Sequence, residues 1–270
     1  MGENLLPSMV QSAEPDPLRY PDQAIFPVWS VWDVVALFFF TGFVALGVGS
    51  LGSASWNFLL ARFRSIHTLR HPGFEAVSLL IFQALLDILI LLFIYVTITL
   101  KYAAPFWSSI KWTGKAHKLV LTYLPLGVSL ALIVLGVSAL LPSPRKPPVE
   151  ELLQYPVSAF MFAALGVFIA PFVEELIFRG FIYPVVERSL GKIAAVLTTA
   201  LLFTGLHLGQ LWGSWVSVAL ILLVGTTLST VRAGTGSLKP SFIIHLSYNC
   251  TICLLFLVTS LVKGFPALSG

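Results

Sequence analysis

The sequence predicts an all-α protein, a polytopic transmembrane bundle of about seven to eight helices around a polar intramembrane cavity. Three observations point there. The chain of 270 residues is 57% hydrophobic and only 10% charged, whereas soluble domains carry about 25% charged residues, and its mean hydropathy is +0.91. Apolar stretches approaching the ~20 residues that cross a bilayer recur along its length. Inside one of them, "EELIFR" places Glu174, Glu175 and Arg179 within six residues.

Taken in order, residues 1–30 read as a tail that is disordered or lies at the interface. It carries Glu3, Glu14, Asp16 and Asp22 among prolines that include Pro7, Pro15, Pro17 and Pro21. No cleavable signal peptide is expected, because acidic residues precede a late first apolar run; the first helix would be an uncleaved anchor. The candidate crossings are Val31–Leu51, Phe74–Leu100, Leu119–Leu141, Val157–Ile177, Ile193–His207, Trp215–Val231 and Ser241–Val262, seven in all. Lipid offers backbone groups no partner, so each is read as a helix. Ile193–His207 and Trp215–Val231 are short and are expected to extend into flanking residues, tilt, or thin the bilayer.

"LLPSPRKPPVEELLQYP", residues 140–156, is rich in proline and charge and reads as an exposed loop. It divides one domain without internal repeats into a front part of three helices, 31–141, and a back part of four, 157–262. The net charge of +4 comes largely from Lys and Arg in short loops, so it does not point to nucleic acid. Arg62, Arg64 and Arg70 follow the first helix and Lys101, Lys111, Lys115 and Lys118 the second. These loops lie on opposite sides and compete under the positive-inside rule; summed over alternate loops, the balance favours a cytoplasmic N-terminus.

Several short patterns read as structure. "GVGSLG", Gly47–Gly52, follows no strand, so its glycines are expected to serve close helix approach rather than a dinucleotide. Cys250 and Cys253 form a CxxC inside an apolar span, where packing is the expected role. The sequon at Asn249–Thr251 lies in the same span and is discounted.

The remaining polar residues carry chemistry. A charge at the centre of a spanning helix costs about 2.5–3.5 kcal/mol, so three in one turn require compensation. Glu175 and Arg179 stand at i, i+4 with the glutamate first, the favourable order for an ion pair. Glu174 is left about 100° away around the helix, where it is expected to face a polar cavity or else to be protonated. Two other helices supply partners: His207 in "FTGLHLG", flanked by Gly205 and Gly209 as GxxxG, and His245 with Asn249 at i, i+4 in "IIHLSYN". A glutamate in an apolar site serves as a base on water, a histidine relays a proton, and a histidine with an asparagine donates to an oxyanion. The set suits amide hydrolysis, and no serine or cysteine stands beside a base as nucleophile. Two histidines and a glutamate are also a known zinc set; with a metal present, Glu174, His207 and His245 would be its ligands. Both routes stay open.

"EELIFR", "FTGLH" and "HLSYN" resemble, in order, the EExxxR, FxxxH and HxxxN motifs of the CAAX prenyl protease 2-like, bacteriocin-processing (CPBP) family of intramembrane proteases. The resemblance covers about Val157–Val262 and leaves the front helices unmatched. It implies that Glu174 and His207 activate water, that His245 and Asn249 stabilise the oxyanion, and that Glu175 and Arg179 hold the site in shape. It implies a membrane-associated peptide or protein substrate, lipidated in some members, the lipid bilayer as partner, and either a zinc-dependent or a metal-free glutamate mechanism. The expected location is multi-pass in a membrane, the bacterial plasma membrane.

Two other classes compete. Asp87, in "FQALLDILILL", would suit an ion-coupled transporter, although Gln83 one turn earlier points to a helix–helix hydrogen bond. A non-catalytic scaffold or immunity protein would use the same bundle but has no need of Glu174.

Overall fold

The computed structural model describes residues 26–62, 72–141, 148, 150 and 153–263. The tail up to residue 25, Arg64, Arg70 and most of the proline-rich segment 140–156 lie outside the described residues. Among those described, the chain is helical throughout and has no strand. The helices are α1 (Val31–Arg62), α2 (Pro72–Val96), α3 (Phe106–Ser109), α4 (Ala116–Leu140), α5 (Pro156–Ala164), α6 (Ala170–Glu175), α7 (Tyr183–His207), α8 (Trp215–Thr235) and α9 (Leu238–Lys263). Wider π-helical turns extend α2 over Thr97–Lys101, join α5 to α6 over Leu165–Ile169, and join α6 to α7 over Leu176–Ile182.

Six of these helical stretches are long and apolar enough to cross a membrane, and one of them, Pro156–His207, runs for 52 residues. At 1.5 Å per residue it would reach roughly 78 Å, more than twice the ~30 Å hydrocarbon core. Gly191 breaks it, with φ 82° and ψ 172°, a conformation that glycine adopts without a Cβ penalty. The two arms on either side of Gly191 correspond to the predicted crossings Val157–Ile177 and Ile193–His207. The molecule is an all-α, multi-pass membrane bundle.

Large apolar side chains face outward, among them Phe39, Phe43 and Ile193, each more than 75% exposed. That pattern suits lipid-facing surface rather than water. Inside, one core gathers Ile94, Ile98, Leu176, Phe181, Leu228 and Ile244. It unites front and back helices, so the proline-rich break does not separate two cores.

Close approach occurs at particular glycines. A Cβ at Gly127 on α4 would strike Ser247 Oγ and the Ile244 carbonyl on α9, so those helices touch backbone to backbone. A Cβ at Gly225 on α8 would meet Phe203 Cδ1 at 3.1 Å and the Ala200 carbonyl at 3.3 Å on α7. The expected GxxxG contact is corrected: among the described residues, Gly205 and Gly209 have nothing within 4 Å of an added Cβ. Of the Gly47–Gly52 stretch, Gly52 meets Phe82 of α2, while Gly47 and Gly49 face open space. Cys250 and Cys253 are free thiols.

Residues 26–30, expected to be part of the tail, pack on the back part. Trp29 is fully buried, stacks on Phe181 with ring centroids 5.1 Å apart, and donates its indole N–H to the Phe181 carbonyl at 2.8 Å. Arg188 donates to the carbonyls of Pro27 and Trp29. Asp33, one turn on, accepts from Ser30 and Tyr102 and pairs with Lys101. The front of the chain is thereby tied to the helix that carries the acidic motif.

Candidate active site

The acidic motif spans the end of α6 and the π-helical turn Leu176–Ile182. Glu175 and Arg179 are completely buried, and Arg179 Nη1 donates to Glu175 Oε1 at 2.9 Å. Arg179 has three acceptors in three directions: Nη2 donates to the Gly225 carbonyl at 2.8 Å and Nε to Ser229 Oγ at 3.2 Å. Ser229 in turn accepts from Thr199 at 2.9 Å. The guanidinium also lies 4.7 Å from the Phe203 ring centroid. An ion pair buried this deeply needs such extra partners to offset desolvation.

His245 joins the two glutamates. Its Nδ1 lies 3.2 Å from Glu175 Oε1 and its Nε2 lies 3.6 Å from Glu174 Oε2. Glu175 Oε1 already accepts from Arg179, so it is an acceptor for the Nδ1 proton as well. That bond leaves Nε2 turned to Glu174. Glu174 keeps 17% of its side-chain surface exposed, yet its Oε2 is buried and accepts no hydrogen bond from the described residues. Glu174 and Glu175 therefore do not face unrelated surroundings, as their separation around a regular helix suggests; both border one imidazole.

His207 ends α7 with Nδ1 2.8 Å from the Phe203 carbonyl. A carbonyl only accepts, so Nδ1 carries the proton and Nε2 presents its lone pair. The Phe203 ring touches both histidines, at 4.7 Å from His207 and 5.7 Å from His245 between centroids. No hydrogen bond or ion pair joins His207 to Glu174 among the described residues. Asn249 donates Nδ2 to the Gly166 carbonyl at 2.7 Å, inside the π-helical turn Leu165–Ile169. Its second amide hydrogen remains for another acceptor.

The zinc set finds no grouping here: among the described residues, no three His, Cys, Asp or Glu side chains stand close enough together to hold a metal ion. Glu174 and His245 face each other, while His207 bonds elsewhere. Asp87 is buried on α2, which packs against α6. Its bond with Gln83 Nε2, 2.8 Å, runs along α2 itself rather than to another helix.

Three contributors escaped sequence reading. Phe203 was visible as the first residue of its motif, but not as the ring shared by Arg179 and both histidines. Ser229 gave no signal. Arg232, 2% exposed, fell just past the predicted crossing Trp215–Val231; a buried charge at a span's end was the available clue.

A multi-pass helical membrane protein with a glutamate–histidine cluster buried among its back helices is the class these features define. Residues 156–251 match the family model described as Type II CAAX prenyl endopeptidase Rce1-like, and over that part the chain belongs to the CAAX protease family. The matched stretch contains all three motifs. No curated protein and no solved structure matches the chain significantly.

Proposed function

We propose that the protein is an intramembrane endopeptidase that hydrolyses a peptide bond in a membrane-associated peptide or protein. The observation that carries this reading is the buried, unbonded Glu174 Oε2 turned toward His245 Nε2. A carboxylate oxygen left without a donor in an apolar interior is costly, and a site that takes a proton from water gives it a use. In this reading Glu174, assisted by the Nε2 lone pair of His207, accepts a proton from water. The water oxygen attacks the peptide carbonyl, and the carbonyl electron pair moves onto oxygen. An N–H of His245 and the free N–H of Asn249 donate to that oxyanion. When the carbon–nitrogen bond breaks, the leaving amine takes the proton held by Glu174. Glu175 and Arg179 hold His245 in register.

An apolar groove is lined by Leu91, Leu92, Tyr95, Phe106, Trp107 and Phe172; Phe172 belongs to α6, the helix that also carries Glu174. The groove suits an apolar part of the substrate, such as a lipid chain. The test is cleavage of quenched fluorescent peptides, lipidated and unlipidated, by the purified protein in liposomes, with and without a chelator. Cleavage that survives chelation supports the metal-free reading. Loss on chelation and recovery with zinc would show that a metal supplies the activated water. Absence of cleavage for all peptides would count against an endopeptidase.

A further inference from the structure

The π-helical turn Leu176–Ile182 creates a backbone problem. In a π-helix each carbonyl accepts from the N–H five residues on. For Arg179 that residue is Pro184, which has no N–H. The N–H four residues on, that of Tyr183, is taken by the Phe178 carbonyl. Neither helical partner serves the Arg179 carbonyl. Arg232 of α8 does: its Nε donates to Arg179 O at 3.1 Å. Its guanidinium lies 5.2 Å from the centroid of the Tyr183 ring, and the Tyr183 hydroxyl bonds Glu187.

We infer that Arg232 is a positioning residue of the site, acting through the proline-orphaned carbonyl of Arg179. Its bond fixes the backbone of Arg179. The Arg179 side chain then fixes Glu175, and Glu175 fixes the imidazole of His245. The inference rests on the proposed hydrolase in its kinetic test only; the geometry it asserts has a separate readout.

Two neutral replacements isolate the donor. In Arg232→Gln the side-chain amide nitrogen stands at the same bond count as arginine Nε, whereas Arg232→Met fills similar space with no donor. A third variant, Arg232→Met with Pro184→Ala, restores a backbone N–H where the orphaned carbonyl needs it. The full-length proteins are compared by kcat and KM on a cleaved peptide, and by the ring proton resonances of histidines carrying nitrogen-15. Arg232→Met is expected to lower kcat by up to about 100-fold, the scale of a small misplacement far from the chemistry, with KM little changed and the His245 Nδ1–H resonance shifted. Arg232→Gln keeps both near wild type, and adding Pro184→Ala to Arg232→Met recovers both. Equal losses in the Gln and Met variants, or no recovery with Pro184→Ala, would overturn the inference. If wild type cleaves nothing, the hydrolase reading fails, and the resonances alone still decide the role of Arg232.

Discussion

His245 spans two adjacent carboxylates, with Nδ1 3.2 Å from Glu175 Oε1 and Nε2 3.6 Å from Glu174 Oε2. The Glu175 carboxylate is held at Oε1 by a buried arginine, and the Glu174 carboxylate has no further partner among the described residues. Neighbours in sequence thus have opposite situations: Glu175 is fixed by its partners, and Glu174 is available.

Arg179→Met is expected to destabilise the protein by about 3–5 kcal/mol, because it strands Glu175 as an uncompensated buried charge. Arg179→Lys is expected to fall well short of rescue. One ammonium cannot reach Glu175, the Gly225 carbonyl and Ser229 with the planar fork that serves them now. Thermal unfolding in one detergent, with expression yield alongside, measures both.

Gly127→Ala is expected to push α9 away from α4 beside His245, since the new methyl group would overlap Ser247 Oγ and the Ile244 carbonyl. Overpacking of this kind costs about 1–3 kcal/mol, and cleavage should fall with it. Gly205→Ala is the control, being open around its Cβ, and should change neither. Melting temperature and cleavage rate of the two variants, run together, check the contrast.

Gln83→Leu leaves Asp87 buried without its 2.8 Å donor and should cost about 1–3 kcal/mol. Replacing both residues by leucine should recover much of that loss, because neither polar group is then stranded. The double variant also tests transport: an ion pathway through Asp87 would not survive it, whereas a bond along one helix can be dispensed with. Unfolding of the three proteins in the same detergent gives the comparison.

Asn249→Ala removes the bond to the Gly166 carbonyl and, in the proposed mechanism, an oxyanion donor. Stability should fall by about 1 kcal/mol and kcat by about 100- to 1,000-fold. A loss confined to stability, with kcat intact, would assign Asn249 to bracing the π-helical turn alone.

Much of this arrangement was legible in the sequence for physical reasons. Charges are too costly in a span to be there without partners, so Glu174, Glu175 and Arg179 drew attention, and the i, i+4 order predicted the Glu175–Arg179 bond. The apolar runs predicted the spans, and two of them, Val157–Ile177 and Ile193–His207, became the arms of one long helical stretch. The partners of those residues were less legible. A hydrophobic pattern does not reveal a π-helical turn, so the orphaned carbonyl of Arg179 and the role of Arg232 were hidden. The GxxxG at Gly205 and Gly209 misled because spacing does not say which face meets a neighbour; Gly127 and Gly225, with no such motif, make the close contacts. The meeting of His245 with both glutamates depends on how α9 packs against α6, which no single helix encodes.

The most direct measurement is cleavage of a membrane-associated peptide by wild type and by Glu174→Gln in liposomes, with the melting temperatures of the two proteins taken alongside. Glutamine keeps the shape and removes the base. The account predicts a Glu174→Gln protein that melts close to wild type and loses cleavage altogether. Cleavage by that variant at the wild-type rate would contradict the assignment of Glu174 as the group that activates water.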